Sequence, residues 1–264
     1  MGSRVPSRLA VVVLSILSAR AAADEVRVAV VADFAAPMQT IAAAFERGTH
    51  HVVRLTADAG PALMERIRSG EPFELLLAAD QEGPRSLVAA GQAGPGFTYA
   101  LDRLVLWSPA PERVDPDGRV LGASTFDTLA VADPATSPEG AAAVQVLGAL
   151  GLQEALRPKL AVGGDPGQVY ASLLAKRADL GFVALARVID DRVGSGWIVP
   201  ESLHAPIRRA AVLIGPGREQ AGARALAEYL RGPESRTIIE SHGYGLDQIA
   251  PAPATPEQTR GAAP

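Results

Sequence analysis

Short, nearly unbroken apolar runs alternate with helical patterns along most of this chain, and that alternation restricts it to an α/β fold. The strand candidates are Val26–Ala32, Val52–Ala57, Glu74–Ala79, Leu104–Trp107, Leu129–Asp133, Leu180–Leu185 and Ile207–Ile214. Their continuous apolar character suits strands covered on both faces, as in a mainly parallel sheet flanked by helices. Between them, Phe34, Met38, Ile41 and Phe45 fall on one face at helical spacing, with Gly48 as a stop. A second helix is predicted from Pro61 to Ser69, with Pro at its first position and Gly70 behind it. A third begins at Ser137-Pro138-Glu139 and ends at Gly151, and a fourth begins at Asp165-Pro166 and carries Val169 and Leu173. The last runs near Glu219–Arg231 and meets Gly232-Pro233. The segment 249–264, rich in Pro and Ala, is expected to be a disordered tail.

Residues 1–23 read as a cleaved secretory signal peptide. Arg4 and Arg8 precede the apolar core Leu9–Leu17, and Ala21–Ala23 supplies small residues for cleavage. The core is too short for a bilayer, which needs about 20 residues. With no Cys there is no lipid-anchor site, no disulfide and no thiol chemistry. A free periplasmic protein, monomeric and not inserted in a membrane, is therefore expected. Cleavage would remove Arg4, Arg8 and Arg20 and no acid, taking the formal charge from −4 to −7. That balance argues against nucleic acid and anionic lipid as partners.

Several segments then resemble one family in the same order along the chain. They are Val30–Met38 (VVADFAAPM), Ser69–Asp80 (SGEPFELLLAAD), Phe97–Ala100 (FTYA) with Arg103–Ser108 (RLVLWS), Ala178–Leu185 (ADLGFVAL), Tyr229–Pro233 (YLRGP) and His242–Tyr244 (HGY). The chain is similar over roughly residues 24–246 to the molybdate-binding protein (ModA) family of periplasmic ABC-transporter solute-binding proteins. The resemblance implies a type II periplasmic binding protein fold of two α/β lobes with ligand between them. The first lobe would be 24–102 with 208–248, and the second 103–207. It also implies docking to an ABC permease in the inner membrane and no enzymatic activity.

At the positions matching the family's ligand loops, this chain departs from the pattern. The family offers Ser, Thr, Asn or Tyr side chains and backbone N–H groups at helix starts, which suits a tetrahedral dianion. Here Asp33, Asp58, Glu139 and Asp165 stand at four such starts. Ala59 and Gly60 in the second loop, and Tyr170 one turn into the fourth helix, are secondary candidates. An ionised carboxylate can only accept hydrogen bonds. Two unit charges about 4 Å apart repel by roughly 4 kcal/mol at an effective dielectric near 20, and a dianion doubles that. A helix N-terminus offsets only about 0.3–2 kcal/mol. Four ionised, converging carboxylates would instead suit a hard metal cation: a lanthanide, Fe³⁺ or Ca²⁺. That is the first expectation.

Alternatives stay open at this point. Asp33 and Asp165 are good N-caps, Glu139 in a first turn favours the helix dipole, and Asp58 can stabilise a turn. With the acids spent in that way, a molybdate or tungstate role is retained. A periplasmic metal-buffering or sensory protein is a third reading. No Gly-x-Ser-x-Gly elbow, phosphate loop or dinucleotide fingerprint is present, so an enzyme is not expected. His50, His51, His204 and His242 lack zinc-ligand spacing.

Overall fold

The structure, a computed structural model, describes residues 24–191 and 193–247. The signal-peptide segment 1–23 and the tail 249–264 lie outside these residues. The strands among the described residues are β1 (Glu25–Val31), β2 (Val52–Asp58), β3 (Leu75–Leu77), β4 (Phe97–Asp102), β5 (Leu104–Ser108), β6 (Leu129–Val131), β7 (Leu160–Val162), β8 (Leu180–Ala184), β9 (Ser195–Ile198) and β10 (Ile207–Leu213). The helices are α1 (Ala35–Gly48), α2 (Gly60–Arg68), α3 (Glu82–Ala89), α4 (Val120–Ala123), α5 (Pro138–Ala149), α6 (Gln153–Leu156), α7 (Pro166–Leu174), α8 (Leu185–Val188), α9 (Ala221–Arg231) and α10 (Pro233–Ser241).

Two five-stranded sheets share one plan. The first has the order β2-β1-β3-β10-β4 and the second β7-β6-β8-β5-β9. In the first, β1 runs parallel to β2 and β3, while β10 is antiparallel to β3 and β4. In the second, β6 is parallel to β7 and β8, while β5 is antiparallel to β8 and β9. Each sheet is therefore mixed. The antiparallel strand in each case is one that adjoins a crossing between the sheets: β5 directly follows β4, and β10 returns after β9.

Burial follows the sequence periods. Phe34, Met38, Ile41 and Phe45 are all buried against the first sheet together with Val26, Val28 and Val30. In β5, Leu104 and Leu106 face one core and Val105 and Trp107 the other, the period-two alternation of a strand covered on both sides. Gly70, at φ 89°, ends α2 in the left-handed region, its N–H bonded to the Ile67 carbonyl. Gly232-Pro233 stops α9, as its sequence reads, but Pro233 also opens α10 at N1, where a missing N–H costs nothing. The strands β4, β7 and β9 are not among the strands read from the sequence; all three are edge strands, and β7 and β9 are short, with exposed residues and little apolar signal.

The plan positions a site. β1, β2, β6 and β7 each lead through a short turn into α1, α2, α5 and α7. Four helix starts therefore sit outside the carboxyl ends of strands, where open α/β sheets bind ligands.

Candidate ligand-binding cleft

A cavity of about 620 Å³ opens between the two sheets. Asp33, Asp58, Glu139 and Asp165 all line it, as do Ala59, Gly60 and Tyr170. The side chains, however, are mostly committed to the protein itself.

Asp58 Oδ1 accepts from the Ala59 N–H at 2.8 Å, and Oδ2 lies 3.7 Å from Arg66 Nη1. Asp165 is the N-cap of α7: its Oδ1 accepts from the Gln168 N–H at 3.0 Å. Ser137 caps α5 through the Gly140 N–H at 3.2 Å, and its hydroxyl donates to Glu139 Oε2 at 2.9 Å. Gly140 is required here, since a Cβ would lie 2.3 Å from the Ala132 carbonyl oxygen. That contact lets the start of α5 press onto the end of β6 and fixes Glu139 at the cleft wall. The Tyr170 hydroxyl donates to Asp191 at 3.1 Å.

Asp33 does not cap α1. It sits in a single 3-10 turn, Ala32–Phe34, with no side-chain cap bond. Its two oxygens take a forked pair of bonds from Arg209, at 2.9 Å from Nη1 and 2.5 Å from Nη2. Arg209 Nε donates to Asp102 Oδ1 at 2.8 Å. The guanidinium is 1 % exposed, lies over the Tyr244 ring at 5.1 Å, and also lines the cleft. Tyr244 in turn donates its hydroxyl to the Asp33 carbonyl at 3.0 Å, and Phe34 packs edge-on against Tyr99 and Tyr244. Sequence reasoning missed Arg209. Its signal was present: a charge at a buried position of the apolar strand Ile207–Leu213.

One guanidinium divided between two carboxylates leaves them unequal. Burial opposes ionisation of Asp33, but the bonds and charge of Arg209, with Arg187 beyond, hold it below the usual range. Burial dominates at Asp102, whose Oδ2 has no partner among the described residues, and pushes its carboxyl up to about 7. Burial also raises the Tyr99 and Tyr244 phenols, which stay neutral.

A pH dependence follows. Between about pH 4 and pH 7 the folded state holds a proton on Asp102 that the unfolded chain has lost, so stability falls as pH rises through this window and levels off above it. Asp33 acts oppositely and lower: its contribution is present above about pH 4 and is lost on further acidification. The variant Asp102→Asn should flatten the decline in urea-unfolding free energy between pH 5 and 7. An unchanged slope in that variant would place the proton elsewhere.

A family model described as "Bacterial extracellular solute-binding protein" matches residues 26–245. The molybdate-binding protein ModA of Azotobacter vinelandii is 45 % identical over 246 residues, covering 91 % of this chain and 98 % of the relative. This chain belongs to the ModA family of bacterial extracellular solute-binding proteins. The ModA of Rhodobacter capsulatus is 42 % identical, covering 86 % of this chain and 91 % of its own length. The solved structure of the Azotobacter vinelandii periplasmic molybdate-binding protein superposes with a TM-score of 0.70 at 33 % identity, covering 84 % of this chain and all of that one. The family is one of solute-binding proteins of ABC importers, and this chain is not an enzyme.

These findings correct the expectation of a hard metal cation. The relatives at 45 % and 42 % identity are molybdate-binding proteins, not proteins for a lanthanide, Fe³⁺ or Ca²⁺. The physical reason lies in the geometry. A cation site needs carboxylate oxygens converging on one point, whereas Asp33 is spent on Arg209, and Asp58 and Asp165 on backbone N–H groups. Among the described residues no group of three His, Asp or Glu side chains is placed to hold a metal ion.

Proposed function

We propose that this chain is the periplasmic binding protein of an ABC importer for a tetrahedral oxyanion of the molybdate and tungstate class. The observation that carries this reading is Arg209: a buried guanidinium at the cleft that offsets Asp33, with Arg187 as a second cation lining the same cleft. The two arginines offset part of the repulsion that four free carboxylates would exert. Helix starts at Gly60, Glu139 and Gly167 add backbone N–H groups that no intrahelical carbonyl reaches. The names of the relatives supply the anion class.

We take residues 24–102 with 208–248 as the first lobe and 103–207 as the second. Sheet membership supports this, since β1–β4 with β10, and β5–β9, form separate sheets. Export through the signal peptide 1–23 and docking to an inner-membrane permease complete the reading. Among the described residues no helix is long and apolar enough to cross a membrane. Ligand contacting both lobes would favour the closed state, which alone offers all contacts at once.

Thermal unfolding tests the ligand. Molybdate or tungstate at 100 times its dissociation constant should add about 2.7 kcal/mol of stability. Ca²⁺ and La³⁺ should leave the midpoint where it is. A shift with either cation and none with any oxyanion would overturn the reading.

A further inference from the structure

We propose that the cleft takes up its oxyanion together with one proton, held between Glu139 Oε1 and a ligand oxygen. This rests on the oxyanion reading and adds the protonation state in which the ligand is bound.

Glu139 is 8 % exposed yet lines the cleft. Its Oε2 is bonded by Ser137, while Oε1 receives no donor from any described residue and is left to the cleft. An ionised carboxylate and an unprotonated oxyanion are both acceptors only, so no hydrogen bond can join them. One proton between the two oxygens turns that clash into a charge-assisted O–H···O bond. Protonating either partner gives the same bond and the same proton count.

The charges that line the cleft are mostly negative. Glu139 shares the cleft with Asp33, Asp58 and Asp80 of the opposite wall and with Asp165 of its own, and its charge is felt at Asp102 on β4. On the positive side, Arg209 is divided between Asp33 and Asp102, which leaves Arg187 on α8. The Tyr170 and Tyr244 phenols are both raised by burial and stay protonated, adding no charge. A dianion arriving here increases an existing excess of negative charge, and a proton from solvent relieves it.

Isothermal titration calorimetry with molybdate, in buffers of different ionisation enthalpy, reads the proton count without any substitution. We expect about one proton taken up per anion at pH 7, and by linkage a Kd that rises about tenfold per pH unit between pH 7 and 9. In Glu139→Gln the amide N–H₂ replaces the O–H donor, so uptake should fall to near zero and the pH slope should flatten. Asp102→Asn should retain the uptake. Molybdate binding without proton uptake in the unmodified protein would overturn the inference alone. So would uptake that survives Glu139→Gln and vanishes in Asp102→Asn. An absence of both heat and thermal shift with molybdate at every pH would overturn the oxyanion reading, and this inference with it.

Discussion

Arg209→Met is expected to lower stability by about 3–5 kcal/mol, the cost of removing one member of a buried ion pair. Methionine fills much of the volume, so the loss reports charge rather than a cavity. It falls mainly on Asp102, whose side chain is 1 % exposed and would keep no bonding partner among the described residues on either oxygen. Asp33, 36 % exposed, can recover water. Asp102 can escape part of the penalty by binding a proton, so the loss should be larger at pH 8 than at pH 6. Urea unfolding of Arg209→Met, Asp102→Asn and the double variant measures this. The double variant should be more stable than Arg209→Met alone, because the fully buried charge at Asp102 is gone. Additive losses would show that Arg209 acts by packing against Tyr244 and not by pairing.

Asp33→Asn is expected to tighten molybdate binding about tenfold. A full carboxylate about 4 Å from a unit charge would exert roughly 4 kcal/mol at an effective dielectric near 20. Asp33 is partly exposed and already paired with Arg209, so we expect about a third of that, roughly 1.4 kcal/mol or one decade in Kd. The asparagine retains one acceptor for the guanidinium, and the second N–H is released. Stability should fall by about 1 kcal/mol for the weakened charge-assisted bonds. A cation site would respond the other way, losing its ligand on the same substitution. Titration of both forms with molybdate decides it, and weaker binding in Asp33→Asn would show that the carboxylate is itself a ligand contact.

Much of the architecture is legible in local sequence. The apolar runs at Val26–Ala32, Val52–Ala57 and Ile207–Ile214 became β1, β2 and β10 to within a residue or so at each end. The Asp165-Pro166 pair became an N-cap followed by Pro at N1, because capping depends only on a side chain and the backbone three residues away. The same local logic failed at Asp33. There the competing partner, Arg209, lies 176 residues along the chain and offers a stronger bond than a backbone N–H.

The sequence by itself determined the alternation of strands and helices, the helix starts and the family. It also placed Asp33, Asp58, Glu139 and Asp165 at those starts. Only the tertiary structure decided what these acids face. β10 inserts between β3 and β4, and this brings Arg209 to Asp33 and to Asp102, 107 residues away. Periodicity and capping are set by neighbours a few residues apart. The charge of a cleft is set by which distant strands lie side by side, and no local pattern carries that information.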